Sequence, residues 1–438
     1  MQHQQDDPDG DEKYVAKWMK NFPWLGKAPA LTARQWKLLA LIFIVTVFET
    51  YDVYLFSLAL KQIQEALSIP ENRLGELGAF VSMGAFPAVL LSIAADRFGR
   101  RQILLFTIVG YTILTGATAF STDAKTFIMF QFLARAFAVA EVALAYVVIA
   151  EEIESEHRGW ATGALAAVGS LGGGLALLLF AFIDKLPMGW RAMYLVGLLP
   201  LAIVAWLRRS MPETKRFENH RDQKAAQSFV RDSITPILNL VKMYPGRFAA
   251  IGSVSLLLAF STSASVFFTP KYLQEAHGWA PWHFSALSFV GGLVPLMGNA
   301  WAGRLSDRKG RRRIAGIFLL LHPLFVIGFY KGSGWFLPPL WVGMLFFGNG
   351  GKVVLNVFGN ELFPTSYRST ASGAVTVLVT LGSVVGLWAE SRFYDLVGSH
   401  WDAIPYLAVV AFLAPVIVAK CLPETSRLSL EEAAPEVS

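Results

Sequence analysis

Apolar residues dominate this chain in blocks of roughly 18 to 25 residues, each long enough to cross about 30 Å of hydrocarbon as a helix. Short polar or charged segments punctuate the blocks. The pattern predicts twelve spanning helices, the first six at Trp36–Leu60, Leu74–Ala95, Ile103–Phe120, Thr126–Ile149, Gly159–Ile183 and Trp190–Leu207. The second six fall at Phe248–Thr269, Trp282–Gly303, Ile314–Tyr330, Pro338–Phe358, Ser369–Ser391 and Ile404–Cys421. The chain is read as an all-α membrane protein with a polar N-terminal segment at 1–35, a six-helix bundle at 36–207, a linker at 208–247, a second bundle at 248–421 and a tail at 422–438. Within the first segment, "EKYVAKWMKNFPWLGK" reads as a short interfacial helix.

The two bundles are copies of one unit. Asp96-Arg97-x-Gly99-Arg100-Arg101 recurs as Asp307-Arg308-x-Gly310-Arg311-Arg312, Glu151-x6-Arg158 as Glu361-x6-Arg368, and Pro212-Glu213-Thr214 as Pro423-Glu424-Thr425. The offsets are 211, 210 and 211 residues (307 − 96, 361 − 151, 423 − 212). Three different motifs in one order at nearly one spacing mark a tandem duplication.

Composition agrees with a bilayer-embedded chain: of 438 residues 54% are hydrophobic and 16% charged, too little charge to cover a soluble surface. The net charge of +6 comes from clusters between the blocks, such as "DRFGRR" and "SDRKGRRR", and not from a nucleic-acid-binding stripe. Those clusters and the basic linker assign one face to the cytoplasm, and the even helix count puts both termini there in the cell membrane. Met1–Gly10 is polar and acidic, with no signal-peptide pattern. Cys421 is the only cysteine, which excludes an internal disulfide or a cysteine metal cluster. No complete P-loop, metal-ligand cluster or nucleophile elbow is visible, so neither an enzyme nor a cofactor is expected. The glycines of "GSLGGG" sit inside a span, where close helix packing is the better reading.

At the duplicated motifs the chain resembles the major facilitator superfamily, within it the sugar-porter and metabolite–proton symporter branches. Gly303–Arg312 completes the family pattern G-x-x-x-D-R-x-G-R-R, Ser92 replaces its first glycine in the other copy, and "GNELFPTSYRST", "PETKR" and "PETSR" belong to the same broad branch. The resemblance implies alternating access, a monomeric carrier and a gating role for Asp96, Arg97, Arg100, Arg101, Glu151 and Arg158 with Asp307, Arg308, Arg311, Arg312, Glu361 and Arg368. Each acid is expected to pair with neighbouring arginines: Asp96 and Asp307 with those that follow them, Glu151 with Arg158 and Glu361 with Arg368. The plainer alternative is that the basic residues only set topology.

Ionisable residues inside spans are costly and mark function. Glu49 and Asp52 lie three apart on one face of the first helix, and Tyr51-Asp52 matches the region where proton-coupled relatives carry a helix-1 acid. Arg135 and Glu141 are six apart in the fourth helix and cannot pair along one face. Relatives carry their helix-4 arginine a turn earlier, at the position of Gln131, whereas Glu141 matches the glutamate of a Gly-Gly-Glu motif. Glu49, Asp52 and Glu141 are therefore proton-coupling candidates, with static bracing the alternative.

Lys352 is a lone lysine among Gly348, Gly350 and Gly351. A buried ammonium needs an anion, either a substrate carboxylate or a protein acid, unless it snorkels towards the membrane edge. Asn356 shares its face, and Arg135, Tyr51, Asn299 and Trp388 complete the candidate substrate site. His322, before Pro323, is read as a packing residue, and Glu390 and Arg392 as interfacial. The leading expectation is a secondary transporter coupling protons to a small organic anion in the lipid bilayer. A carrier of organic cations, zwitterions or sugars, and a non-transporting receptor or sensor, are the alternatives.

Overall fold

The computed structural model describes residues 13–22, 25–209 and 229–426, with 428, 432 and 434, and leaves out the side chains of 20, 93, 96, 229–234 and 296. The linker copy of the Pro-Glu-Thr motif at 212–214 lies outside the described residues, as does the Asp96 side chain. Among those described, twelve helical segments are long and apolar enough to span a membrane. They are α1 (Ala33–Leu58), α2 (Glu71–Ser92), α3 (Arg100–Ala119), α4 (Ala124–Glu152), α5 (Ser155–Phe180), α6 (Trp190–Arg208), α7 (Pro245–Phe267), α8 (Pro281–Lys309), α9 (Arg311–Lys331), α10 (Gly334–Glu361), α11 (Thr365–Val397) and α12 (His400–Cys421). All twelve predicted spans are found. Several run past their apolar windows, because hydrocarbon ends a run of apolar side chains but not the intrahelical hydrogen bonds.

Two repeat features set local geometry. Gly99 and Gly310 sit directly before α3 and α9 with φ of 103° and 101°, a left-handed region where side chains with a Cβ are strained. The helix of α2 is interrupted at 84–86 ahead of Pro87, and that of α8 at Gly292.

By packing, the chain divides into two units. The first comprises the described parts of Met1–Phe56, Gly84–Leu179 and Ile183–Ala226. Its core joins Trp36, Phe43, Leu144, Val148 and Leu165 in one cluster and Val45, Ile108, Tyr111 and Leu201 in another. A Cβ on Gly172 of α5 would stand 1.9 Å from the Val47 carbonyl oxygen of α1, so this glycine lets two backbones meet. Gly172→Ala should therefore cost about 1–3 kcal/mol through overpacking, read as a lower Tm in detergent. Gly163→Ala, which meets nothing within 4 Å, should leave Tm unchanged.

The predicted interfacial helix is a five-residue 3-10 turn, Lys17–Asn21, folded against this unit. Trp18 meets Trp36 at 5.4 Å between ring centroids, Trp36 meets Trp160 at 5.9 Å, and the Trp160 indole donates to the Leu25 carbonyl at 3.1 Å. Lys13 pairs with Glu154 at 2.5 Å, at the α4–α5 junction.

The second unit comprises the described parts of Ser57–Met83, Phe180–Phe182 and Gln227–Ser438, so the start of α2 packs with the second helix set. Its core centres on Val254, Ile314, Phe318, Val354, Phe358 and Val418. Within it α11 lies between α7 and the start of α2. Added Cβ atoms on Gly382 and Gly75 would fall 2.4 Å from the carbonyl oxygens of Leu256 and Leu387.

Candidate functional site

In the first unit, α1 carries Glu49 and Asp52 into the core, where they are 2% and 6% exposed. Among the described residues neither Glu49 carboxylate oxygen has a hydrogen-bond partner, and Asp52 Oδ1 lacks one too. Arg135 lies near both acids and Arg208 near Glu49, with Tyr111 beside Asp52, yet no ion pair forms from either arginine to Glu49 or Asp52 among the described residues. Unpaired buried carboxylates are unstable as bare anions, so this pair is built to hold a proton or to meet a cation.

Glu141 behaves differently. Arg208 Nη1 pairs with Glu141 Oε1, and Thr107 Oγ1 donates to Glu141 Oε2 at 2.5 Å. Both charged side chains are 1% exposed. Arg208, placed by the sequence reading at the start of the basic linker, ends α6 instead and lies wholly inside the unit. Gln131 donates to Thr118 Oγ1 at 3.2 Å. The Tyr51 hydroxyl donates to the Met193 carbonyl, and its ring is 1% exposed.

In the second unit, α10 presents a polar stripe at the i, i+3, i+4 spacing of one helix face: Asn349, Lys352, Asn356 and Asn360. The last three are exposed, although Lys352 lies inside a membrane-length helix. No carboxylate lies within ion-pair distance of Lys352 among the described residues. The stripe ends at an open cavity of about 550 Å³ lined by Asn360, Glu361, Arg368, Ser369 and Ser372. Asn299 on α8 is half-buried with Oδ1 unpartnered, and Trp388 on α11 is exposed beneath the Arg392 guanidinium, 5.2 Å from its ring. His322 bonds the Met344 carbonyl at 3.1 Å and Thr262 Oγ1 at 3.3 Å, which fits a packing role.

The duplicated motifs form the same construction twice, with partners other than those expected. Glu151 pairs with Arg100 at 3.1 Å and Glu361 with Arg311 at 2.9 Å, whereas Arg158 and Arg368 donate to the carbonyls of Ile153 and Asn360 at 2.9 and 2.8 Å. A seven-residue spacing across a turn leaves the side chains of Arg158 and Arg368 over local backbone. The arginine that opens the next helix reaches the acid instead. Asp307 does pair with Arg311, at 2.5 Å. Arg101 donates to the Arg209 carbonyl at 2.7 Å, and Arg97 stacks on Phe98 at 5.6 Å. The Pro-Glu-Thr motif joins this network: Thr425 Oγ1 donates to Glu361 at 2.6 Å, and Glu424 accepts from the Arg311 and Arg312 amides at 2.7 and 3.1 Å. Burial alone would raise the Glu424 pKa, but the amides of Ser426, Arg311 and Arg312 hold it below its ordinary value.

A third set of charges escaped sequence reading. Glu390, expected at the interface, is fully buried and bonded to His400 at 2.5 Å; His400 in turn meets Glu71 at 3.1 Å. Lys271, 0% exposed, meets Gln64 at 2.7 Å, Glu71 at 3.2 Å and Glu275.

Twelve membrane-length apolar helices that carry charged side chains along them fit a multi-pass transporter of a small-molecule substrate, not an enzyme. The chain belongs to the Major Facilitator Superfamily, whose sequence model matches residues 42–387. It is 27% identical to the "Probable 4-methylmuconolactone transporter" of Cupriavidus pinatubonensis, covering 87% of this chain and 89% of that one. It is 25% identical to the sialic acid transporter NanX of Escherichia coli, covering 85% and 90%. Other relatives are named for gallate and for cis,cis-muconate. A D-xylose-proton symporter of known structure shares the fold with a TM-score of 0.74 at 16% identity, covering 90% of this chain and 99% of that one.

Proposed function

We propose that this protein is a proton-coupled symporter of a small organic carboxylate. Lys352 holds the substrate anion, and Asp52, with Glu49 beside it, carries the proton. Asn356, Asn299, Trp388 and Arg135 are the further candidate substrate contacts, and the duplicated arginine–glutamate networks serve as gates. The carrier works as a monomer in the cell membrane with both termini cytoplasmic. The observation that carries this reading is Lys352: an exposed ammonium inside a membrane-length helix, flanked by asparagines and without a described acid beside it. Such a charge is satisfied best by an incoming anion. Relatives named for sialic acid, gallate and cis,cis-muconate support an acid as cargo.

A second reading, an organic cation as substrate, is favoured by the unpartnered carboxylates of Glu49 and Asp52. Proteoliposomes decide between them. An imposed inward proton gradient should drive accumulation of one or more aromatic or unsaturated carboxylates, with amines and sugars excluded. Asp52→Asn keeps the side chain's size and hydrogen-bonding capacity but cannot titrate. It should abolish gradient-driven accumulation while sparing exchange of substrate across the membrane. Undiminished accumulation in that variant would remove Asp52 from the coupling step, and uptake of amines alone would replace the anion reading.

A further inference from the structure

The His400 cluster is built inside the second unit, at the end of α9 where Lys331 meets Asp402 and away from the Arg311 end. His400 opens α12 and stacks on Phe268 at 4.6 Å, with the Tyr394 ring 4.3 Å away. Its Nδ1 faces Glu390 Oε1 at 2.5 Å and its Nε2 faces Glu71 Oε2 at 3.1 Å. A neutral imidazole owns one N–H and one lone pair, so it can donate to only one of two carboxylates. The other contact would set lone pair against lone pair, at a site where Glu390 is fully buried with Oε2 unpartnered. Both contacts are satisfied only when the trio holds one further proton.

The surrounding charge does not remove that need. Lys271 lies against Glu71 and Glu275, leaving Glu390 without a cation other than the imidazole among the described residues. Asp395, bonded to Asn72 at 2.9 Å, adds negative charge, and the Tyr330 and Tyr394 hydroxyls are the remaining titratable neighbours. Glu71 is half-exposed and gives the buried pair a route to water.

We infer that Glu71, His400 and Glu390 form a proton-binding site, distinct from the α1 acids, whose proton fastens the start of α2 to α11 and α12. Glu71 opens the turn Glu71–Arg73 that leads into the helix at Leu74–Met83, and that helix meets α11 at Gly75 and through the Glu76 amide, which donates to Ser391 Oγ at 2.7 Å. Loss of the proton turns the Glu71 contact from attraction to repulsion and releases this packing. The fastened form therefore belongs to low pH and is lost as pH rises. The site stands whether or not Asp52 carries the coupling proton.

Spin labels on Arg73→Cys and Leu396→Cys, both exposed positions, report on it in a Cys421→Ser background reconstituted in lipid nanodiscs. The measured distance distribution should hold one short population at about pH 5.5 and gain a longer one as the majority by about pH 9. Glu71→Gln lets a neutral imidazole accept from an amide and should keep the short population at both pH values. His400→Gln should abolish the pH response as well. Glu71→Gln alters a half-exposed side chain, so it keeps the test decisive should His400→Gln fail to fold. A parent distribution that does not change with pH, or a pH response that survives in Glu71→Gln, would overturn the site.

Discussion

Lys352→Ala should bind the transported carboxylate at least tenfold more weakly while melting within a few degrees of the parent. Truncating one partner of a buried charge pair costs on the order of 2–5 kcal/mol, and about 1.4 kcal/mol already gives a factor of ten. Stability should survive because no described acid depends on this ammonium. Lys352→Arg should recover part of the affinity, since a planar fork replaces a compact point charge. Melting temperature and Kd measured on one preparation separate the outcomes. A folded alanine variant with native affinity would remove Lys352 from the substrate site, and a destabilised variant with native affinity would indicate a structural role.

Arg208→Met should produce the largest loss of stability. Among the described residues Glu141 would be left in the core with only Thr107 for a partner, and removing one member of such a pair costs about 3–5 kcal/mol. The variant should melt far below the parent in detergent or fail to accumulate. Arg208→Met combined with Glu141→Leu should recover much of the loss, because a well-packed apolar pair needs no compensating charge. A single variant as stable as the parent would mean that Glu141 is neutral in the folded protein and needs no cation.

These two residues mark the boundary of what the amino-acid sequence discloses. Lys352 could be found because a lysine among glycines interrupts an apolar block, and its isolation is a property of one helix. Arg208 could not, because it sits at the edge of a basic segment and its partner lies 67 residues away on another helix. The same holds for His400 and Glu71, 329 residues apart. Hydropathy marks the long apolar runs, and the recurring motifs mark equivalent junctions, so the twelve helices and the repeated arginine–glutamate junctions were legible. Partner choice is a tertiary property. Spacing along the chain pointed Glu151 and Glu361 to Arg158 and Arg368, and the fold supplied Arg100 and Arg311 instead. The third charge set gave no such signal: Glu390 lies well inside α11, and only the packing of α11 against the start of α12 brings it to His400.

The aromatic strap from Trp18 to Trp160, with Lys13 on Glu154, bears on the duplication itself. It comes from sequence ahead of the repeat and braces the junction of α4 and α5. At the equivalent α10–α11 junction the residues around the start of α7 do the same: Tyr244 meets Phe363 and Tyr367 at 6.2 and 6.3 Å between ring centroids, and Arg247 donates to the Leu362 carbonyl at 2.9 Å. Each ion pair thus sits at a hairpin clasped by the chain that leads into the first helix of its own set. The clasp recurs as the ion pair does, and a hairpin that shifts must carry its clasp with it or shed aromatic contacts.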